Sequence, residues 1–222
     1  MDTTAKYLTD HYQKTYELTY ALWKGRNKTF LILLGAVGLA TLVTFPALGT
    51  RSVLFLYLAH SLGLEQKDVS GLQSGFPFAI LQAIFLFVIF YLTVNLYHRA
   101  RYVLRNYAYL GALETEIRQN LALSAPSVAF TRESSFYWGN RDIFSAAVKY
   151  VYIILLSGLL VSFLAATIIA DCKSGNRLLT IVDILFAVPT LTFLAAYAIA
   201  SVSMDHGGAT VPKEQAKAKA AE

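Results

Sequence analysis

Residues 69 to 105 run VSGLQSGFPFAILQAIFLFVIFYLTVNLYHRARYVLR. No charged side chain occurs from Val69 to Tyr97. Wound as a helix rising about 1.5 Å per residue, Phe76 to Tyr97 crosses the roughly 30 Å of hydrocarbon in a bilayer. His98, Arg99, Arg101 and Arg105 follow at once, and a basic flank of this kind marks the cytosolic side of a span. This stretch makes the chain an integral membrane protein, and it sets the direction in which the neighbouring segments cross.

Composition agrees. Of 222 residues 56% are apolar and 15% charged, with a mean hydropathy of +0.49. A soluble domain needs about a quarter or more of its surface residues charged. The single cysteine, Cys172, excludes an intramolecular disulfide and a cysteine metal cluster. The formal charge of +5 is topological: five Lys and Arg precede the first expected span and seven lie between the second and third, against two in each outer loop. That asymmetry puts both termini in the cytosol. The N-terminus lacks the apolar core and small-residue cleavage site of a signal peptide.

The sequence predicts an all-α, polytopic fold with four transmembrane helices and a helical cytosolic extension. Residues 1–28 form a cytosolic amphipathic helix with Tyr12, Tyr16, Tyr20 and Trp23 along one side, and Lys24, Arg26 and Lys28 mark the membrane edge. Residues 29–97 hold spans 1 and 2. Span 1 is Thr29–Thr50, with small residues at Ala36 and Ala40 and Pro46 near its outer end, and an interfacial outer segment covers 51–75. Span 2 continues without a break through HRARYVLRNYAYLGALETEIRQNLAL, because no proline intervenes before Pro126. Tyr107, Leu110, Leu113, Ile117 and Leu121 recur at helical spacing, and Glu114 and Arg118 read as an i, i+4 pair on the exposed side. Residues 98–149 are the cytosolic module, too small for a core of its own; Asn140 is positioned to cap the helix entering span 3. Residues 150–204 hold spans 3 and 4, Tyr150–Ala170 and Ile181–Met204, joined by a turn at Ser174-Gly175-Asn176. Gly158, Ser162 and Ala166 form one small-residue ladder and Thr192, Ala196 and Ala200 another, predicting a close hairpin. A polar tail occupies 205–222.

No zinc spacing, phosphate loop or nucleophile elbow is present, so the sequence predicts neither an enzyme nor a cofactor. Among polar residues inside the expected spans (Gln82, Thr93, Asn95, Ser157, Ser162, Asp183, Thr190, Thr192) only Asp183 is ionisable. An intramembrane carboxylate is a functional candidate by default, with a shallow hydrated position or an ion pair with Arg177 as the plainer alternative. Gln82 and Asn95 lie 13 residues apart, about 140° around one helix. With Asp183 they are the candidate pore or polar seam, and interhelical hydrogen bonding is the plainer reading of both. Arg99, Arg101 and Arg105 can anchor to the inner leaflet or clamp a phosphate. With Arg132, Phe136, Tyr137 and Trp138 they mix arginine with aromatics, a combination that stacks a base or docks a protein.

The order of an N-terminal helix, two spans, YAYLGALETEIRQNLAL, AFTRESSFYW and two more spans resembles small multi-pass membrane proteins of bacteria, some of which accompany phage-defence systems as membrane effectors or sensors. The words that carry the likeness are LETEI (113–117) and FTRESSFYW (130–138). The resemblance implies the bacterial inner membrane, a homo-oligomer, and a cytosolic protein partner or small signal molecule acting on residues 98–149. The expected function is an oligomeric, channel-like or membrane-perturbing effector or sensor gated through that module. The alternative is a non-conducting scaffold that docks a soluble partner; a small transporter is disfavoured because no internal repeat or pair of broken helices is visible. The bilayer is the expected partner of the spans, and direct nucleic-acid binding is not expected.

Overall fold

The computed structural model describes residues 3–44, 57, 60–61, 78–123, 127, 129–130, 143–175 and 177–207. Among them every regular element is helical: α1 (Thr3–Thr44), α2 (Phe78–Asn120), α3 (Ile143–Ser174) and α4 (Arg177–Gly207). Runs long and apolar enough to cross a membrane occur in three of them, at Ile80–Asn120, Ala147–Lys173 and Arg177–Val202. These are the helices of a multi-pass membrane protein.

The amphipathic helix over 1–28 and the start of the expected first span are one element: α1 is a single helix of 42 residues from Thr3 to Thr44. Lys24, Arg26 and Lys28 change what surrounds the backbone, but the i to i−4 ladder is indifferent to side-chain charge and no proline precedes Pro46. Residues 45–50 of the expected first span lie outside the described residues, as does the outer segment 51–75 apart from Tyr57, His60 and Ser61. The continuity of span 2 with the helix beyond it holds: α2 runs unbroken for 43 residues.

The chain divides into two compact units. Unit 1 gathers residues 1–28, 95–153 and 195–222. Its buried positions include Ala100, Val103, Leu110, Leu113 and Ile117 of α2, the stripe the helical spacing predicts. In this unit α2 ends in a Schellman motif: the amide of Ala122 donates to Gln119 (3.1 Å) and that of Leu123 to Arg118 (3.1 Å), with Ala122 in the left-handed region at φ 47°. The Arg118 guanidinium then secures the following chain by donating to the carbonyls of Ser127 and Ala129, both at 2.7 Å. Glu114, expected on the exposed side, is instead 1% exposed. It lies about 40° around the helix from Leu110 and so inside the apolar stripe.

Unit 2 gathers residues 29–94 and 154–194. Leu33 and Val37 of α1, Leu86 and Ile89 of α2, and Leu156, Leu160 and Phe163 of α3 are buried in it. Aromatic rings join α2 to α4: Phe87 meets Phe186 at 6.3 Å and 87°, Phe90 meets Phe186 at 6.1 Å, and Phe90 meets Phe193 at 6.3 Å. Such tilted pairs add roughly 0.5–1.5 kcal/mol each beyond their buried area.

The turn after α3 is where the sequence put it. Gly175 takes φ +73° and its amide donates to Cys172 at 3.3 Å, a conformation that favours glycine. The chain buries the two small-residue ladders unevenly. Gly158 and Ser162 are exposed, and a Cβ built on Gly158 meets nothing within 4 Å. Thr192 is also exposed, Ala166 and Ala196 are half-buried, and only Ala200 is buried. Within the chain the burial of α3 falls on Leu156, Leu160, Phe163 and Leu164, because large aliphatic and aromatic side chains fill interhelical space that no small-residue contact needs to close.

Candidate functional site

Threonines recur along the helices, and their hydroxyls are satisfied locally. Thr41, Thr93, Thr167, Thr190 and Thr192 each donate to the carbonyl four residues earlier, at 2.6 to 2.9 Å. A hydroxyl so occupied has no proton left for a neighbouring helix, though its oxygen can still accept. The search in unit 2 therefore turns to the groups that reach across.

Three side chains do reach across. Gln82 of α2 donates through Nε2 to Asp171 Oδ2 of α3 at 2.8 Å, and the same nitrogen lies 3.4 and 3.5 Å from Asp183 Oδ1 and Oδ2 of α4. Gln82 and Asp171 are half-buried, and Asp183 is 2% exposed. Each helix supplies one member because each position falls on a buried stripe: Gln82 comes four residues before Leu86, and Asp183 four before Ala187. One amide with two N–H groups faces two carboxyl groups, which are acceptors when ionised. Such an arrangement draws positive charge to itself.

Asp183 is thus buried within the chain, and it accepts from Gln82 while Arg177 is exposed. Asp171 was missed because the expected third span stops at Ala170, one residue short of it. It sits four residues before Gly175, one helical turn inside α3, and a turn reading anchored on Gly175 alone would have kept it helical. Asn95 belongs to unit 1, where its Oδ1 accepts from Arg99 Nε at 2.9 Å.

Unit 1 holds a second set of polar contacts between α1 and α2. Tyr12 Oη donates to Glu114 Oε1 at 2.8 Å, and His11 Nε2 hydrogen-bonds Tyr109 Oη at 2.8 Å. Tyr12 also meets Phe130 edge to face at 5.8 Å, and Tyr7 stacks on His11 at 6.4 Å. Arg99 leans on α1 at Gly25, where an added Cβ would collide with its Nη1. Arg101 and Arg105 are exposed. Arg132, Phe136, Tyr137 and Trp138, and the expected cap Asn140, lie outside the described residues.

Among the described residues no group of three or more His, Cys, Asp and Glu is placed to hold a metal ion. Compared with known proteins, the chain matches no protein-family model, no curated protein and no solved structure.

Proposed function

We propose that the chain is a channel-like, oligomeric membrane protein that admits a proton or small cation at Gln82, Asp171 and Asp183. The observation that carries this reading is the meeting of two carboxyl groups from different helices at one amide nitrogen, within helices apolar enough to cross a membrane. Acidic residues are expensive in such surroundings and are retained where charge is handled. α1 supplies a fourth span, the Lys and Arg excess puts both termini and residues 98–149 in the cytosol, and the membrane is a bacterial inner membrane, as the sequence resemblance implies. Gating fits the unbroken run of α2, which contributes residues to both units, because a helix without a break has no hinge to absorb a displacement. Phage defence is the setting that the resemblance implies.

The test is ion flux in liposomes carrying the purified chain. Asp183→Asn keeps an oxygen for Gln82 and offers an N–H to Asp171, so the helices stay joined while one acid is lost. Wild-type flux above that of protein-free vesicles, reduced in Asp183→Asn and in Gln82→Leu, is the expected result. Inserted, helical wild-type protein that passes neither protons nor alkali cations, with or without a cytosolic partner, would overturn the channel reading in favour of the non-conducting scaffold.

A further inference from the structure

The residues of α1 around Gly25 and of α2 around Arg99 place an ordered guanidinium at a helix contact in unit 1. Gly25 sits mid-helix, where glycine costs roughly 1 kcal/mol relative to alanine. The contact gives it a use: any Cβ there would collide with Arg99 Nη1. From the other side Asn95 accepts from Arg99 Nε at 2.9 Å. The guanidinium is therefore held at Nε and lies against Gly25, and being only half-buried it keeps N–H groups for a ligand.

The surroundings are cationic and aromatic. Lys24 and Lys28 are exposed on α1, within about 6 Å of Gly25 along the axis. The Arg26 guanidinium is fixed by Asn27 Oδ1 at 3.1 and 3.3 Å. Tyr20 and Trp23 stack at 6.1 Å and 14°, with the Lys24 ammonium 4.6 Å over the Tyr20 ring. Among the described residues no carboxylate is paired with Lys24, Arg26, Lys28 or Arg99.

We infer that this contact is a binding site for the phosphate of an anionic phospholipid headgroup. With Nε given to Asn95, the guanidinium offers its remaining Nη N–H groups to a phosphate, and neighbouring lysines add charge. The level along the chain selects a lipid over a soluble phosphate: Gly25 comes four residues before the apolar run that starts at Thr29, and Arg99 two residues after the one that ends at Tyr97. An exposed Tyr and Trp at that level are the usual companions of a headgroup.

The experiment uses the full chain in bilayers of phosphatidylcholine, with Trp138→Phe as background so that Trp23 is the sole tryptophan. Brominated-chain phosphatidylglycerol and brominated phosphatidylcholine are compared as quenchers of Trp23. Each cation near a membrane surface contributes ~1 kcal/mol toward anionic lipid, which converts to about fivefold. Phosphatidylglycerol is therefore preferred by at least about fivefold, and Arg99→Gln removes about that factor. Gly25→Ala also removes it, by pushing the guanidinium aside, although it changes no charge and improves helix propensity, so loss of folding does not confound it. Arg101→Gln, about 200° around α2 from Arg99, has the smaller effect. An unchanged preference in Gly25→Ala overturns the site, as does equal quenching by the two lipids. Displacement of the quenching lipid by glycerol phosphate in water would reassign the site to a soluble phosphate and overturn the lipid assignment.

Discussion

Tyr12→Phe removes one oxygen and little else. The ring stays against Phe130, and the lost group is the hydroxyl that donates to Glu114 Oε1 at 2.8 Å. Glu114 is 1% exposed, so water does not readily replace the donor. A hydrogen bond to a carboxylate contributes about 1.5–3 kcal/mol. Tyr12 is itself half-buried, and partial solvation brings the expected loss down to about 1–2 kcal/mol. The assay is reversible unfolding of the full chain in mixed micelles, run as a double-mutant cycle with Glu114→Gln. A coupling energy of about 1 kcal/mol is expected, since the two groups share one bond. A Tyr12→Phe loss within about 0.5 kcal/mol of zero, the range of ordinary surface substitutions, would refute the view that this bond ties α1 to α2 in unit 1.

Two other substitutions test the fold. Ala122→Gly relieves a left-handed alanine at the end of α2 and is expected to stabilise unit 1 by about 1 kcal/mol in the same unfolding assay; a loss of stability would show that the alanine methyl carries packing instead. Ala200→Leu overfills a buried position and costs about 1–3 kcal/mol, whereas Ser162→Leu on the exposed face of α3 changes stability by less than about 0.5 kcal/mol. Equal losses, or a smaller oligomer for Ser162→Leu in size-exclusion chromatography with light scattering, would mean that another helix covers that face.

How far the sequence could be read depended on the range of the physics involved. The continuity of α2 was legible because helix breaking is local: no proline lies between Phe78 and Asn120. The buried stripe of Leu110, Leu113 and Ile117 was legible because period alone specifies it. The join within α1 had no signal of its own, because the change from charged to apolar residues at Thr29 marks a change of surroundings, not of backbone. Glu114 was misread because the i, i+4 rule for exposed charge pairs was applied where the stripe of Leu110 and Ile117 already claimed the position. The cluster of Gln82, Asp171 and Asp183 was half legible. A carboxylate in an apolar helix stands out in any window, but Gln82 and its two acceptors are 89 and 101 positions apart, and no periodicity reports a distance of that kind. The apparent small-residue ladders show the converse: spacing establishes that Gly158 and Ser162 share a face, and leaves open what lies opposite.

The threonine hydroxyls bear on how this chain is made. Thr41, Thr93, Thr167 and Thr190 bring one such group to each of the four helices, and each is closed onto its own backbone. A helix that satisfies its hydroxyls by itself enters lipid without waiting for its neighbours, so these residues place no order on synthesis and insertion. Gln82 is different. Its amide meets its acceptors on segments translated later, so from the emergence of α2 until α3 and α4 arrive it must be held by the insertion machinery, by water at the bilayer edge or by a chaperone. That interval lasts as long as translation of the residues that separate Gln82 from its acceptors, 89 positions to Asp171 and 101 to Asp183.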